Sequence, residues 1–108
     1  GTPSDEALRK RFDACSRMGS DIVKIVTHAQ AMEDNLRVLG LIPYARNKGR
    51  AIIALCMGEQ GKISRVMAPL LGAYWSYASL EKGAESAPGQ LTAEEMRLIY
   101  SLLGTEER

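Results

Sequence analysis

Apolar residues in this chain fall into runs of two kinds, one with helical spacing and one without. Leu8, Phe12, Cys15 and Met18 recur at intervals of four and three, a single stripe along a helix. Ser4, just before Asp5 and Glu6, is a candidate N-cap, and Gly19 is a stop. Residues 21–26 (Asp-Ile-Val-Lys-Ile-Val) are β-branched and apolar on both faces, the pattern of a parallel strand covered on both sides. A second helical stripe, Leu36, Leu39 and Ile42, runs through residues 32–45, where Pro43 is expected to kink or end it. Residues 50–57 repeat the two-faced strand pattern. The loop 58–61 then leads to a short helix at 63–71, with Ile63, Val66, Met67 and Leu70 inward. Residues 74–79 read as a third strand, rich in aromatics. A long loop through Gly83 and Gly89 follows. Thr92 and Glu95 then have capping-box spacing at the start of a last helix faced by Met96, Ile99, Leu102 and Leu103.

Strands alternating with helices in this way predict an α/β fold, a parallel sheet with helices packed outside it. About three strands and four helices leave both sheet edges and much of one sheet face bare. A closed eight-stranded barrel takes roughly 200 residues or more, and this chain has 108 and opens on a helix. Residues 1–108 are therefore expected to form the C-terminal portion of a single (β/α)8 barrel domain, with the N-terminal half absent.

Composition narrows the function classes. Apolar residues make up 45% and charged residues 25%, ordinary for a globular domain. The net charge is +1, and the basic residues are interleaved with acidic ones, which argues against a nucleic-acid surface. No apolar stretch is long enough to cross a membrane. The polar start, Gly1-Thr2-Pro3-Ser4-Asp5-Glu6, is unlike a signal peptide. Cys15 and Cys56 read as small buried hydrophobes, and one His with two distant Cys makes no zinc site. A cytoplasmic, metal-free domain is expected.

Lys24 interrupts an apolar strand on the face of Ile22 and Val26. It reads either as a lysine reaching solvent near a strand end or as a desolvated amine able to attack a ketone and form an imine. The second reading suits a barrel, where catalytic groups stand at the C-terminal ends of strands. Arg65, in the first turn of the helix after the second strand, could hold a carboxylate in its fork or simply be solvated. Ser86-Ala87-Pro88-Gly89-Gln90 is either a plain turn or a rigid loop aiming Ser86 and Gln90 into one pocket. His28, the only histidine, is expected in the strand-to-helix loop, with a local hydrogen bond rather than a catalytic duty.

Three segments together resemble the type I 3-dehydroquinate dehydratases. Gly19-Ser20-Asp21-Ile22-Val23-Lys24-Ile25 is similar to the family's Gly-Ala-Asp-Ile-x-Lys-Ile around its Schiff-base lysine. Gly61-Lys62-Ile63-Ser64-Arg65 resembles Gly-x-Ile-Ser-Arg, which brings the substrate-carboxylate arginine, and Ser86 to Gln90 matches Ser-Ala-Pro-Gly-Gln without a substitution. The resemblance implies a lyase of the shikimate pathway that needs no cofactor and acts on 3-dehydroquinate. In it Lys24 forms the imine, Arg65, Ser86 and Gln90 anchor the carboxylate, and Met57 and Tyr77 pack against the substrate. It also implies that the general acid/base histidine lies upstream of Thr2-Pro3, in the N-terminal half, with which this chain would have to assemble. The chain alone is expected to be inactive, and a homodimer is left open. His28 stands where relatives have an apolar residue, and the loop between Tyr77 and Ser86 is slightly longer than theirs. The competing readings are a non-catalytic dehydroquinase-like domain of quinate-pathway repressors and another lysine-imine barrel such as an aldolase. A repressor has no need to keep Lys24, Arg65, Ser86 and Gln90 together, and the proline in Ser86 to Gln90 makes a poor phosphate loop.

Overall fold

The computed structural model describes residues 1–74 and 91–105. The strand expected at 74–79 therefore lies outside the described residues except for Tyr74, as do Tyr77, Ser86 and Gln90. Helix α1 (Asp5–Arg17) starts where its cap predicts, with the Ser4 hydroxyl accepting the Ala7 N–H at 3.2 Å. Leu8 and Phe12 of its stripe are fully buried. Met18 departs from it and is 85% exposed, because the helix ends there and Gly19, at φ 84°, turns the chain aside.

Strand β1 (Ile22–His28) pairs in parallel with β2 (Ala51–Met57). Lys24 stands opposite Ile53 and His28 opposite Met57. Among the described residues both strands are covered on one face only, although both faces are apolar, as expected of a chain with too few helices to cover the second face. Val23, Ile25 and Thr27 are buried beside Ile52, Ala54 and Cys56, while Ile22, Lys24, Val26 and His28 are exposed. The reason is placement: α1 and the helices after each strand contribute Leu8, Phe12, Val38, Leu41, Ile42, Ala45 and Ala68 to the covered face.

The helical pattern of 32–45 is two helices, α2 (Asp34–Leu39) and α3 (Leu41–Asn47). The break falls at Gly40 and not at Pro43, which sits in the first turn of α3, where a missing N–H leaves no helical bond unmade. Leu36 is 73% exposed, and the buried apolar positions are Val38, Leu41, Ile42 and Ala45. A 3₁₀ turn (Glu59–Gly61) leads to α4 (Lys62–Leu70), where Ser64, Val66 and Ala68 face inward and Ile63 does not. The last helix, α5 (Ala93–Leu103), begins with the predicted capping box. The Thr92 hydroxyl accepts the Glu95 N–H at 3.1 Å, and the Glu95 carboxylate accepts the Thr92 N–H at 2.9 Å. Met96 and Tyr100 of α5 close a second small cluster with Val66 and Leu91, leaving Leu102 and Leu103 exposed.

Five α-helices and two parallel strands are thus present among the described residues, an α/β architecture. The Tyr74 N–H donates to the Ile52 carbonyl at 2.8 Å, on the edge of β2 away from β1. No helix among the described residues is long and apolar enough to cross a membrane.

One polar cluster ties the loops at the C-terminal end of β1 together. The Asp34 carboxylate accepts the Gln30 and Ala31 N–H groups at 2.9 and 3.1 Å and pairs with Arg37. Arg37 donates in turn to the Pro3 and Thr2 carbonyls at 3.1 and 3.5 Å. These contacts hold the Asp34 carboxyl below its ordinary value, the Gln30 N–H chiefly, while burial acts in the opposite sense and Ala31 and Arg37 add to the lowering. A depressed folded-state pKa contributes stability above the unfolded value of about 3.9, and loses it as pH falls through the folded value. In the full-length protein, Asp34→Asn is expected to lower the urea midpoint at pH 7. Titrations repeated down to pH 3 should see the two proteins converge, and a constant gap would remove the carboxylate from the argument.

Candidate active site

On β1 the period of two places Ile22, Lys24, Val26 and His28 on one face, and the register adds Ala51, Ile53, Leu55 and Met57 beside them. Lys24 is the third residue of a seven-residue strand, not at its C-terminal end as the sequence suggests. Its amine is free to leave the sheet because no described element covers that face. Among the described residues it is also in no ion pair, whereas Lys10, Lys48 and Lys62 each lie within 4 Å of a carboxylate, those of Glu6, Asp13 and Glu59. Ile22, Val26 and Met57 surround this face with half-exposed apolar side chains.

His28 is the last residue of β1 rather than a loop residue, so it shares the face of Lys24. They are four positions apart, roughly 13 Å along β1. Gly58 explains how the ring is seated: at φ 88°, a side chain there would put its Cβ 3.0 Å from the imidazole. The Thr2 hydroxyl donates to the His28 carbonyl at 3.2 Å and meets the Thr27 hydroxyl at 3.1 Å.

Arg65 enters from the same end of the sheet, in α4, directly after β2 and the 3₁₀ turn. Its Nε is buried and has no hydrogen-bond partner among the described residues. Burial pulls its guanidinium below the usual value, though an arginine keeps its charge in any such setting. An unpaired buried donor is costly, roughly 1–3 kcal/mol, and charged donors cost more. A bound carboxylate would relieve that.

Lys24, Met57 and Arg65 are therefore carried by β1, β2 and α4 in turn, the first two on the open face and the third at its C-terminal end. Sequence reading passed over the buried polar residues beneath them. Ser64 is fully buried, and Asn35 is buried with its amide donating to the Met32 and Gln60 carbonyls, both at 2.8 Å. The available signal was a small polar residue at an inward helical position. No cluster of three or more His, Cys, Asp or Glu residues able to hold a metal occurs among the described residues.

Comparison with known proteins gives a consistent result. The family model described as type I 3-dehydroquinase matches residues 1–107. A 3-dehydroquinate dehydratase of Syntrophobacter fumaroxidans is 41% identical over 105 residues, 96% of this chain and 45% of that protein. The one from Pyrococcus abyssi is 44% identical over 103 residues, again 45% of its length. Among solved structures, the 3-dehydroquinate dehydratase of Geobacillus kaustophilus superimposes with a TM-score of 0.78 at 30% identity, covering 100% of this chain and 42% of that one. The type I enzyme of Clostridium difficile, crystallised with covalently modified comenic acid, gives 0.75 at 28% identity, with 95% and 41% covered. This chain thus spans a little under half the length of the relatives it matches, and it belongs to the type I 3-dehydroquinase family.

Proposed function

We propose that this chain is the C-terminal portion of a (β/α)8 barrel that dehydrates 3-dehydroquinate to 3-dehydroshikimate through a Schiff base on Lys24. The observation that carries this reading is the lysine standing, among the described residues, in no ion pair and on the sheet face that the described helices leave open. In a closed barrel that face is the interior. The partner is accordingly the N-terminal portion of the barrel, which supplies the remaining strands and the general acid/base.

The chemistry follows from the amine. Lys24 Nζ attacks the C3 ketone, and loss of water from the carbinolamine gives a protonated imine. That imine acidifies the C2–H, because it accepts the electron pair left when a base removes the proton. The pair then returns to form the C1–C2 double bond as the C1 hydroxyl departs as water. Hydrolysis of the imine releases 3-dehydroshikimate and restores the amine, so the net change is loss of one water. Arg65 binds the carboxylate with Ser86 and Gln90, and Met57 and Tyr77 pack against the ring. The full-length protein incubated with 3-dehydroquinate should generate a conjugated enone, read by its ultraviolet absorbance. No enone from a folded full-length protein would end this reading.

Arg65→Ala is expected to raise KM strongly with a smaller effect on kcat. Truncating one partner of a desolvated charge pair costs about 2–5 kcal/mol. Steady-state kinetics check this, and an unchanged KM would move the carboxylate site elsewhere.

His28→Gln is expected to cost less than about tenfold in kcat, against the roughly 10²–10⁴ that a general base supplies. The family resemblance supports this, since it assigns the general acid/base to a histidine of the N-terminal portion. A hundredfold loss would give His28 the proton-transfer role.

A further inference from the structure

We propose that Ser64 is a positioning residue for Arg65, tying the end of β2 to the first turn of α4 and so setting where the guanidinium stands. The inference rests on the reading of Arg65 as the carboxylate anchor.

Ser64 is fully buried, and its hydroxyl is used in both directions. It accepts the Cys56 N–H at 2.8 Å and lies 2.7 Å from the Gly61 carbonyl, with the Cys56 carbonyl farther off at 3.4 Å. A hydroxyl has one proton. At these distances the proton goes to Gly61, and the Cys56 N–H fills a lone pair. One side chain thus joins a strand, the 3₁₀ turn and a helix.

The backbone confirms how close these parts are. A Cβ on Gly61 would lie 2.5 Å from the Cys56 carbonyl oxygen, so the turn packs backbone to backbone on the strand end. The ladder edge matters as well. Ile52 and Cys56 present their backbone groups to the same edge of β2, since residues of equal parity do. On that edge Ile52 accepts the Tyr74 N–H, whereas Cys56 gives its N–H to Ser64.

Arg65 follows Ser64 directly, and its Nε has no hydrogen-bond partner among the described residues. With no described neighbour bonding its Nε, the guanidinium takes its place from its own stem, hence from the start of α4. A shift of about 1 Å at a binding group can cost about 100-fold in rate, so the anchor of that helix start is functional as well as structural.

A double-mutant cycle in the full-length enzyme tests this. Ser64→Ala is expected to raise KM for 3-dehydroquinate by about tenfold, equivalent to about 1.4 kcal/mol, with kcat largely kept. In the Arg65→Ala background the same substitution should leave KM unchanged, because the group it positions is gone. Multiplying effects, or a fall in kcat alone, would overturn the positioning role. Ser64→Cys keeps a weak donor and acceptor and should give an intermediate KM. If the alanine protein does not fold, the cysteine protein carries the same cycle, and a KM equal to the parent's then counts against the proposal. Should Arg65→Ala itself leave KM unchanged, the carboxylate reading falls and takes this one with it. If Arg65→Ala raises KM while Ser64→Ala does not, the positioning role alone is lost.

Discussion

Lys24→Ala in the full-length enzyme is expected to remove activity almost entirely, by on the order of 10⁴–10⁶ in kcat, the scale seen when a covalent nucleophile is taken from a catalytic unit. In the proposed mechanism the effect is large because every later step depends on the imine: without it the C2 proton is not acidified and the C1 hydroxyl has no driving electron pair. Lys24→Arg should fare no better, since a guanidinium stays protonated and cannot attack a ketone. Borohydride provides the direct measurement. It reduces the imine to a secondary amine, fixing the substrate carbon skeleton to whichever lysine formed it. Digestion and mass spectrometry should find the added mass on the peptide containing Lys24. The other described lysines make poor candidates on geometry, because Lys10, Lys48 and Lys62 lie on helices, at a C-cap or in a first turn and face the carboxylates of Glu6, Asp13 and Glu59. Adduct on Lys48 or Lys62 would sink the assignment.

The elements were readable in the chain where local chemistry alone decides them. Ser4 and Thr92 cap helices by bonds that close within three residues, and the β-branched run of β1 marks a strand by its pattern although its ladder partner is the distant β2. Apolar faces were less readable at the ends of elements. Met18, Leu36, Leu102 and Leu103 continue a helical period, yet each is exposed, because period fixes direction around an axis and not what lies opposite. The two-faced strands show the same limit. Ile22 and Val26 are as apolar as Val23 and Ile25, and sequence says that both faces want cover without saying which element supplies it.

The site divides along the same line. Lys24 and Arg65 were legible as candidates because a lysine in an apolar strand and an arginine at a helix start are anomalies of pattern. Arg37 and Ser64 were not, because their partners include backbone groups of other segments, among them Pro3 and Cys56. Such bonds leave no trace in periodicity. Ser86, Gln90 and Tyr77 rest on the family motif alone, since they fall outside the described residues.

Expressed alone, the 108-residue chain is expected to self-associate or remain molten, and to show no dehydratase activity. The open sheet face presents Ile22 at 39%, Val26 at 38% and Met57 at 38% exposure, with Ile53 and Leu55 between them only partly covered. Each 100 Å² of apolar surface left in water forgoes about 2.5 kcal/mol, and a small domain is held together by only about 5–15 kcal/mol. Strand β1 adds a second liability. Among the described residues only β2 pairs with it, so its other edge offers N–H and C=O groups to any extended chain, including a second copy. The covered face works in the opposite direction, since Leu8, Phe12, Val23, Ile42 and Ile52 form a dry core that should keep secondary structure in place. The expected state therefore has helical circular dichroism, binds a hydrophobic dye and lacks a sharp thermal transition. Co-expression with an N-terminal portion of the barrel should cover the face, pair the edge and restore both a cooperative melt and turnover. A monomer with a sharp transition and slow amide exchange along both β1 and β2 would show that the open face is stable in water, and would remove the physical ground for reading this chain as part of a barrel.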